Sequence, residues 1–156
     1  MQVRGYAASS AVEDLKPFNF ERRQPRSNDV VIEILYCGVC HTDLHIARNH
    51  GGYTRYPVVP GHEIVGRVTK TGNEVKRFQA GDIVGVGCMV DSCQSCSPCR
   101  LGFEQHCLEG ATFTYNGLDR QDKSTTFGGY SSHIVVSEKF CLSIPDGLDL
   151  SAVAPM

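Results

Sequence analysis

The chain has 156 residues, a length that suits one domain with its own hydrophobic core. Hydrophobic residues make up 41% and charged residues 21%, which are ordinary globular values and exclude a largely disordered chain. The net charge of −2, with no basic block, argues against nucleic acid or an anionic membrane as the main partner.

Short strands separated by turns dominate the pattern along the chain. Runs dense in β-branched residues predict strands at 29–36, 62–70 and 82–87, and two later runs predict a strand pair at 129–136 and 139–144. Glycine and proline between these runs predict turns. Many short strands with frequent turns are typical of a closed or nearly closed barrel.

Helices are expected to be short, and two glycines interrupt the strands. The best helix candidate covers 41–49, and 149–156 has the pattern of a helix that begins at a cap, Asp149 or Ser151. Gly66 and Gly85 indicate bulges or a close approach of neighbouring backbone. Because a domain rarely ends where a helix begins, we expect this chain to be a fragment.

The N-terminal residues lack the apolar run of a signal peptide, and no stretch approaches the roughly 20 apolar residues of a membrane helix. We therefore expect a cytoplasmic protein. Eight cysteines are then unlikely to form a disulfide framework, because that compartment is reducing. Metal ligation is the better interpretation, and the spacing of the cysteines must decide it.

Four cysteines follow the spacing C-x2-C-x2-C-x7-C; they are Cys93, Cys96, Cys99 and Cys107. Zinc takes four thiolates in a tetrahedron, at about 2.3 Å each. The residues between the cysteines are mostly polar or small, so metal binding rather than packing would order this loop. Two disulfides or unligated thiols are the alternatives. Four protein ligands leave no open position, so this zinc would be structural.

Cys37 and Cys40 form a separate CxxC pair. The pair could be a redox dithiol or half of a zinc ribbon, although neither a thioredoxin-like pattern nor a free partner CxxC accompanies it. Cys40 alone would lie at the start of the predicted helix, where the helix dipole favours a thiolate. Cys37 has the character of a buried small hydrophobe.

Several other side chains with catalytic chemistry follow Cys40. Thr42 and His45 would share one helix face, because they are three residues apart. His62 and Glu63 come at a turn that enters a predicted strand. Cysteine, histidine and carboxylate are ligands of catalytic zinc when one coordination position stays open.

The motifs CGVCHTDLH (37–45), PGHEIVG (60–66) and AGDIVGV (80–86) occur in this order before the cysteine loop. Together they resemble the zinc-dependent medium-chain alcohol dehydrogenases. The segments VGCMVDSC (86–93) and GGYSSHIVV (128–136) are similar to the cinnamyl-alcohol-dehydrogenase-like branch. The resemblance covers essentially the whole chain and implies a mainly β fold with short helices, namely a GroES-like barrel carrying a four-cysteine zinc loop.

The resemblance also implies a metal role for matching residues. Cys40 and His62 would be ligands of the catalytic zinc, and Glu63 would enter the shell when water or substrate exchanges. Asp43 would orient the zinc-bound histidine from outside the ligand shell. Four cysteines match the ligands of the structural zinc; they are Cys93, Cys96, Cys99 and Cys107.

Three further residues match positions that handle the proton and the coenzyme. Thr42 would accept the proton of the substrate alcohol, and His45 would be the outer end of that relay. His41 would contact the coenzyme pyrophosphate.

Two departures from the family indicate a missing part. The family's third catalytic ligand is a cysteine placed shortly after a segment like 151–156, where this chain stops. The glycine-rich dinucleotide fingerprint is absent, because GVGCMV (85–90) lacks its third glycine and leads into the cysteine loop. We therefore expect residues 1–156 to be a GroES-like catalytic domain without its coenzyme-binding domain.

The expected activity of the intact protein is hydride transfer between a small alcohol or aldehyde and NADP or NAD, with NADP favoured by the cinnamyl branch. Zinc would be the Lewis acid, and a homodimer remains open. The chain alone is expected to be inactive. The alternatives are a stand-alone zinc-stabilised GroES-like binding module and, less well supported, a redox protein that uses Cys37 and Cys40.

Overall fold

The structure, a computed structural model, describes the whole chain from Met1 to Met156. It is mainly β with a few short helices, as predicted. The strands are β1 (Gln2–Ala7), β2 (Lys16–Glu21), β3 (Asp29–Cys37), β4 (Ile64–Thr71), β5 (Ile83–Val86), β6 (Met89–Asp91), β7 (Thr112–Phe113), β8 (His133–Ser137) and β9 (Cys141–Ser143). The α-helices are α1 (His41–Ala47), α2 (Ser97–Arg100) and α3 (Leu150–Val153), and 3-10 turns cover Glu104–His106 and Glu138–Phe140.

An antiparallel sheet of five strands, in the order β8-β3-β4-β5-β9, forms the centre of the fold. Only the turn Glu138–Phe140 separates its two edge strands in the chain. Four strand spacings would separate these edges by about 19 Å in a flat sheet, whereas the four residue steps from Ser137 to Cys141 span at most about 14 Å. The sheet therefore curls into a half-barrel, which confirms the predicted fold class.

The predicted pairing of the last two strands is wrong. Strands β8 and β9 lie at opposite edges of the sheet, where β8 pairs with β3 and β9 pairs with β5. The short turn between them crosses the end of the curled sheet instead of closing a hairpin. Sequence neighbours usually pair, but here curling lets one short connection join two distant edges.

The inner face of the sheet holds the main apolar core of ten buried residues; they include Val30, Ile32, Ile64, Val68, Val84, Val86, Ile134 and Val136. Their alternation along each strand is the period of two that directs every second side chain inward. Gly66 lies at an irregularity of the β3–β4 register, and a Cβ atom there would collide with Glu33 and Ile32. Gly85 pairs regularly on both sides and marks no bulge.

Strands β1 and β2 form an N-terminal antiparallel hairpin that the sequence pattern did not predict. Residues of β1 alternate exposed and buried, but the inward positions are Val3, Gly5 and Ala7, too small to give a strong strand signal. The hairpin packs on Val59 and hydrogen-bonds the segment before β8, with the Tyr6 N–H donating to the Tyr130 carbonyl at 2.9 Å. It thereby fixes two segments that lead to the site described below.

Strands β6 and β7 pair with each other and close the base of the loop that holds Cys93 to Cys107. The predicted helix at 41–49 is present as α1 and ends at Ala47, two residues earlier than predicted. The predicted cap at the last helix is Asp149, whose side chain accepts the Ser151 N–H at 2.9 Å. None of the helices has the length and apolar character needed to cross a membrane.

Candidate metal centres and the residues around them

The four-cysteine cluster, Cys93, Cys96, Cys99 and Cys107, has its sulfur atoms within 4.8 Å of one another. The Cys93 and Cys99 Sγ atoms are 3.9 Å apart, which is far longer than a disulfide of about 2.05 Å. Two sulfurs that each lie about 2.3 Å from one tetrahedral ion are about 3.8 Å apart. The cluster therefore has the spacing that a zinc ion needs, and its donor set of four thiols fits that ion.

Local backbone N–H groups prepare this cluster for anionic sulfur. The Cys96 N–H donates to Cys93 Sγ, and the Cys93 N–H donates to Cys107 Sγ, both at 3.4 Å. Hydrogen bonds from the backbone of Ser95 and Cys96 lower the pKa of Cys93 to about 6. Thiolates are the form that binds metal, so these contacts favour ligation by Cys93. At Cys99 the hydrogen bond with Ser92 lowers the pKa, but burial and the neighbouring thiols of Cys96 and Cys107 outweigh it and raise the pKa to about 11.

The second site, here called the Cys40 cluster, combines Cys40, His62 and Glu63. Their ligand atoms also lie within 4.8 Å of one another. Cys40 begins α1, whereas His62 and Glu63 immediately precede β4. The strand predicted at 62–70 in fact begins at Ile64, which leaves His62 and Glu63 outside the regular sheet and free to face Cys40.

The buried side chain of Asp43 links the residues of the Cys40 cluster through hydrogen bonds. It is 3% exposed, and its Oδ1 accepts the Gly61 N–H at 3.0 Å and lies 3.3 Å from His62 Nδ1. Its Oδ2 accepts the Cys40 N–H at 3.0 Å and the Tyr130 hydroxyl at 2.9 Å. One buried carboxylate therefore joins the start of α1, the turn before β4 and the segment before β8.

Protonation at this site follows from the same contacts. Burial by itself would raise the pKa of Asp43, but hydrogen bonds from His62 and from backbone N–H groups outweigh it and lower the pKa to about 2. The Asp43 carboxylate raises the pKa of His62 to about 8, against the opposing effect of burial. Hydrogen bonds from Thr42 lower the pKa of the Cys40 thiol. These shifts pair an ionised Asp43 carboxylate with the imidazole that it orients.

Glu63 supplies an independent sign that a cation fits here. Its Oε2 atom is buried and has no hydrogen-bond partner. A Cβ atom at Gly38 would collide with this same oxygen, so glycine at 38 is needed for Glu63 to occupy its position. A buried carboxylate oxygen without a partner is costly unless a cation compensates it. The residues present therefore fit a metal ion beside Cys40 and His62.

Thr42 contacts Cys40, whereas the rings of His41 and His45 contact other imidazoles. The Thr42 hydroxyl is 3.6 Å from Cys40 Sγ. His41 and His45 are exposed and lie with a third imidazole, His50, on the outer surface. Thr42 and His45 form no direct hydrogen bond with each other, since the polar contact of His45 Nδ1 is with His50 Nδ1 at 2.8 Å.

Two tyrosines near Asp43 were not predicted from the sequence to belong to the site. Tyr130 donates to Asp43 across 87 residues of chain, and the Tyr115 ring stacks on the His62 ring with centroids 5.6 Å apart. Gly61, at a φ of 100°, turns its N–H toward Asp43, and a Cβ atom there would come within 2.8 Å of Cys37 Sγ. The PGHE turn signalled Gly61, but no local pattern points to either tyrosine.

Cys37 stands apart from both clusters. Its side chain packs against the main core, and burial raises the pKa of its thiol to about 12. A thiol of that kind is a poor nucleophile and a poor ligand at neutral pH. The structure thus agrees with the interpretation of Cys37 as a small apolar residue and offers no support for a redox dithiol with Cys40.

Residues 26–146 match the family described as the alcohol dehydrogenase GroES-like domain. The chain belongs to this family. The match covers both clusters, the central sheet and the cysteine loop.

Named relatives agree with this family. The chain is 51% identical over 155 residues to the probable cinnamyl alcohol dehydrogenase 3 of rice. This alignment covers 99% of this chain and 42% of the relative. It is 50% identical over 154 residues to the NADP-dependent alcohol dehydrogenase C of Mycobacterium bovis, covering 99% of this chain and 44% of the relative. The predicted resemblance to the cinnamyl branch is confirmed.

Solved structures give the same result. The cinnamyl alcohol dehydrogenase of Sorghum bicolor superimposes with a TM-score of 0.96 at 46% identity, over 99% of this chain and 44% of that one. A Helicobacter pylori structure, described as CAD complexed with NADP(H), superimposes with a TM-score of 0.94 at 43% identity, over 99% of this chain and 45% of that one. The chain therefore spans less than half the length of the relatives that it matches.

Proposed function

We propose that this chain is the catalytic zinc domain of an NAD(P)-dependent alcohol dehydrogenase that interconverts small alcohols and aldehydes, with NADP favoured over NAD. The observation that carries the proposal is the Cys40 cluster, whose three donor types converge beside a carboxylate that orients the histidine. Relatives named cinnamyl alcohol dehydrogenase and NADP-dependent alcohol dehydrogenase support the substrate class and the coenzyme. We propose no nucleic-acid or membrane partner and leave a homodimer open.

Two zinc sites belong to the proposal. The four-cysteine cluster would hold a structural zinc, because four protein ligands leave no position for substrate. Cys40 and His62 would hold the catalytic zinc, with Glu63 able to join them. When bound there, zinc supplies a Lewis acid that polarises an alcohol or aldehyde oxygen.

The chain's own residues would then prepare the reaction. Asp43 contacts His62 Nδ1 and so leaves Nε2 as the ring nitrogen that can face a metal. Thr42, beside Cys40, would accept the proton of the alcohol. Because Thr42 and His45 are not hydrogen-bonded to each other, a bridging group would have to pass that proton on to His45. His41, exposed next to Cys40, would contact the coenzyme pyrophosphate.

The chain by itself should not turn over substrate. A stable catalytic zinc normally has three protein ligands and an open position, and here Glu63 would have to be the third. No dinucleotide fingerprint occurs in the 156 residues, so a nicotinamide has no domain that would hold it in reacting geometry. We therefore propose that a coenzyme-binding domain completes the active site in the intact protein.

A stand-alone zinc-stabilised binding module is the other candidate. It explains the four-cysteine cluster, but it gives no reason for a partnerless Glu63 carboxylate beside Cys40 and His62. The two proposals differ in what the natural gene product contains. A reading frame that continues into a glycine-rich β-α-β segment supports the dehydrogenase, and a stop after Met156 supports the module.

The test compares the full-length gene product with residues 1–156. Both are assayed with NADPH and NADH against a panel of small and aromatic aldehydes, with zinc content measured on the same samples. We expect turnover by the full-length protein, faster with NADPH, and none by the 156-residue chain. Absence of turnover by the zinc-loaded full-length protein would contradict the dehydrogenase proposal, and clear turnover by the short chain would show that the site is complete without a second domain.

A further inference from the structure

The guanidinium of Arg22, the residue that follows β2, makes four hydrogen bonds, and all of them go to one short stretch of the chain before and at the start of β8. Its Nε donates to the His133 carbonyl at 2.6 Å. Its terminal nitrogens donate to the carbonyls of Phe127 and Gly128, at 2.7 and 2.9 Å, and to the Ser131 hydroxyl at 2.9 Å. One side chain therefore holds three carbonyls from different positions of this stretch at a single point.

The Arg22 side chain is itself fixed by the N-terminal hairpin. The Arg22 N–H donates to the Met1 carbonyl, and the Met1 amino terminus donates to the Arg22 carbonyl, both at 3.0 Å. The guanidinium carbon lies 5.1 Å from the centre of the Phe20 ring. Burial and the nearby charge of Arg23 lower the pKa of Arg22 to about 9, so the group is still a cation at neutral pH. A planar guanidinium held in this way can act only as a donor, with a rigid geometry.

None of the four acceptors of Arg22 is a carboxylate. The neighbouring arginine, Arg23, pairs with Asp29 and Asp119 instead. Arg26 also pairs with Asp119, at 2.8 Å. The half-buried charge of Arg22 is thus compensated by neutral oxygens alone, through charge-assisted bonds that are roughly twice as strong as neutral ones. Such bonds resist any movement of the carbonyls that accept them, so the position of this stretch depends on Arg22.

Residues 127–133, here called the GGY segment, also pair with the turn that leads to His62. Three successive N–H groups of the segment donate to carbonyls at 59–61 over 2.7 to 2.9 Å; the pairs are Gly128 with Val59, Gly129 with Gly61, and Tyr130 with Pro60. The two backbones are so close that a Cβ atom at Gly128 would come within 2.3 Å of the Pro60 carbonyl oxygen. A shift of the GGY segment would therefore move the residues just before His62.

Both oxygens of the Asp43 carboxylate depend on this pairing. The Gly61 N–H donates to Oδ1 at 3.0 Å, and the Tyr130 hydroxyl donates to Oδ2 at 2.9 Å. The same Oδ1 atom lies 3.3 Å from His62 Nδ1. Arg22, through the GGY segment, therefore fixes two of the donors that hold the carboxylate facing the imidazole.

We propose that Arg22 is a positioning residue of the Cys40 cluster. By holding the GGY segment it sets two donors that face Asp43, and so it orients His62 without a direct contact. Lysine cannot take this role, because its ammonium is a single charged point on a flexible stem and cannot reproduce the planar fork of donors. The effect on turnover rests on the proposed dehydrogenase function, whereas the positioning itself can be measured without it.

The first test compares wild type with Arg22→Lys in the 156-residue chain, with zinc in the cysteine loop and a mild chelator to keep the Cys40 cluster free of metal. Amide hydrogen exchange is followed by NMR at Gly61 and Tyr130, with Val68 in β4 as an internal reference. We expect exchange at Gly61 and Tyr130 to become at least about tenfold faster while Val68 changes little, because the lost bonds open the structure locally.

The second test uses the full-length protein. Contacts outside the ligand shell of a metal typically contribute about 10–100-fold to metal affinity or activity. We therefore expect kcat for aldehyde reduction and the affinity of the Cys40 cluster for Co²⁺ to fall in this range in Arg22→Lys, with the KM for NADPH unchanged. If the wild-type full-length protein has no turnover, the proposed function fails, and exchange at Gly61 still decides the role of Arg22.

The matched control is Arg77→Lys. Arg77 is exposed and also donates to backbone carbonyls, those of Glu138 and Cys141 at 3.1 and 3.4 Å, but these lie at the turn between β8 and β9. The control should leave exchange at Gly61 and the kinetic constants as in wild type, so an equal effect in Arg77→Lys would contradict a specific role of Arg22.

A second variant, Ser131→Ala, removes one of the four acceptors of Arg22 and should give a smaller acceleration at the same amides. It decides the question if Arg22→Lys does not fold. Two further results would overturn the proposal: exchange at Gly61 as slow as in wild type in the folded variant, or an acceleration at Val68 as large as that at Gly61, which would indicate a general loss of stability.

Discussion

Replacing Asp43 with asparagine should destabilise the fold strongly although it changes a single atom. The two carboxylate oxygens of Asp43 accept the N–H groups of Gly61 and Cys40, one each. An asparagine amide must turn its NH2 group toward one of these two donors, which leaves either the buried Gly61 N–H or the partly buried Cys40 N–H without a partner. That loss costs about 1–3 kcal/mol.

A second part of the cost comes from the charge. The remaining bonds, including the one from the Tyr130 hydroxyl at 2.9 Å, lose a charged acceptor. Charge-assisted hydrogen bonds are roughly twice as strong as neutral ones, so this loss adds about 1 kcal/mol. The expected total is about 2–4 kcal/mol, a large share of the roughly 5–15 kcal/mol by which domains are usually stable.

Urea unfolding measures this loss, in a mild chelator so that metal at the Cys40 cluster does not contribute. The matched control is Asp14→Asn, the same chemical change at a carboxylate whose side chain is 90% exposed and pairs with Arg48 at 3.1 Å. Exposed ion pairs contribute about 0–1 kcal/mol, so the control should lose little. If Asp43→Asn stays within about 0.5 kcal/mol of wild type, or loses no more than Asp14→Asn, the account of Asp43 as the anchor of the site is wrong.

Three further predictions concern the cysteine loop, the core thiol and acid stability. The purified chain should hold about one zinc that survives mild chelation. Cys96→Ser should release this zinc and lower the free energy of unfolding by several of the roughly 10–16 kcal/mol that a structural zinc supplies, as measured by zinc content and urea unfolding. The control Cys88→Ser should behave like wild type, and a purified chain without zinc would refute the prediction. Cys37→Ala, which truncates a half-buried core side chain, should fold with a modest loss of stability and unchanged zinc content, and a loss of zinc would identify Cys37 as a ligand after all. Burial would raise the pKa of Asp119, but hydrogen bonds from Arg26 and from backbone N–H groups outweigh it and lower the pKa to about 2. Because the pKa of an Asp carboxyl in the unfolded chain is about 3.9, the stability that Asp119 contributes is complete above about pH 5 and is lost as the pH falls toward 2. The free energy of unfolding, measured as a function of pH, should show this slope, and Asp119→Asn should flatten it.

The strands that form the sheet could be predicted because their residues have a strong local pattern. Runs such as 29–36 combine β-branched residues with flanking turns, and the structure places β3 at Asp29–Cys37. Strand β1 was not predicted, because its inward positions are small and its partner β2 contains Pro17. The order of the strands could not be predicted either, since a short turn between β8 and β9 normally signals a hairpin and only curling of the sheet separates them.

Some residues of the candidate site could also be predicted from the sequence, and others could not. Cys40, His62 and Glu63 could be selected because their residue types and motifs carry metal chemistry, and the fold brings their ligand atoms together. Tyr130 could not be selected, because its contact with Asp43 depends on how the N-terminal hairpin holds the segment before β8. The surface position of His45 beside His50 also depends on the bend at Asn49, which the predicted helix of 41–49 would have delayed by two residues.

We propose that Cys40 acts as a metal ligand in the intact protein and does not form a redox dithiol with Cys37. The most direct measurement is aldehyde reduction with NADPH by the full-length protein and by its Cys40→Ser and Cys37→Ser variants, with zinc content determined for each. We expect Cys40→Ser to abolish turnover and to lose the zinc of the Cys40 cluster, while Cys37→Ser keeps both zinc ions and most of its activity. Equal loss of activity in the two variants, with zinc content unchanged, would contradict the account.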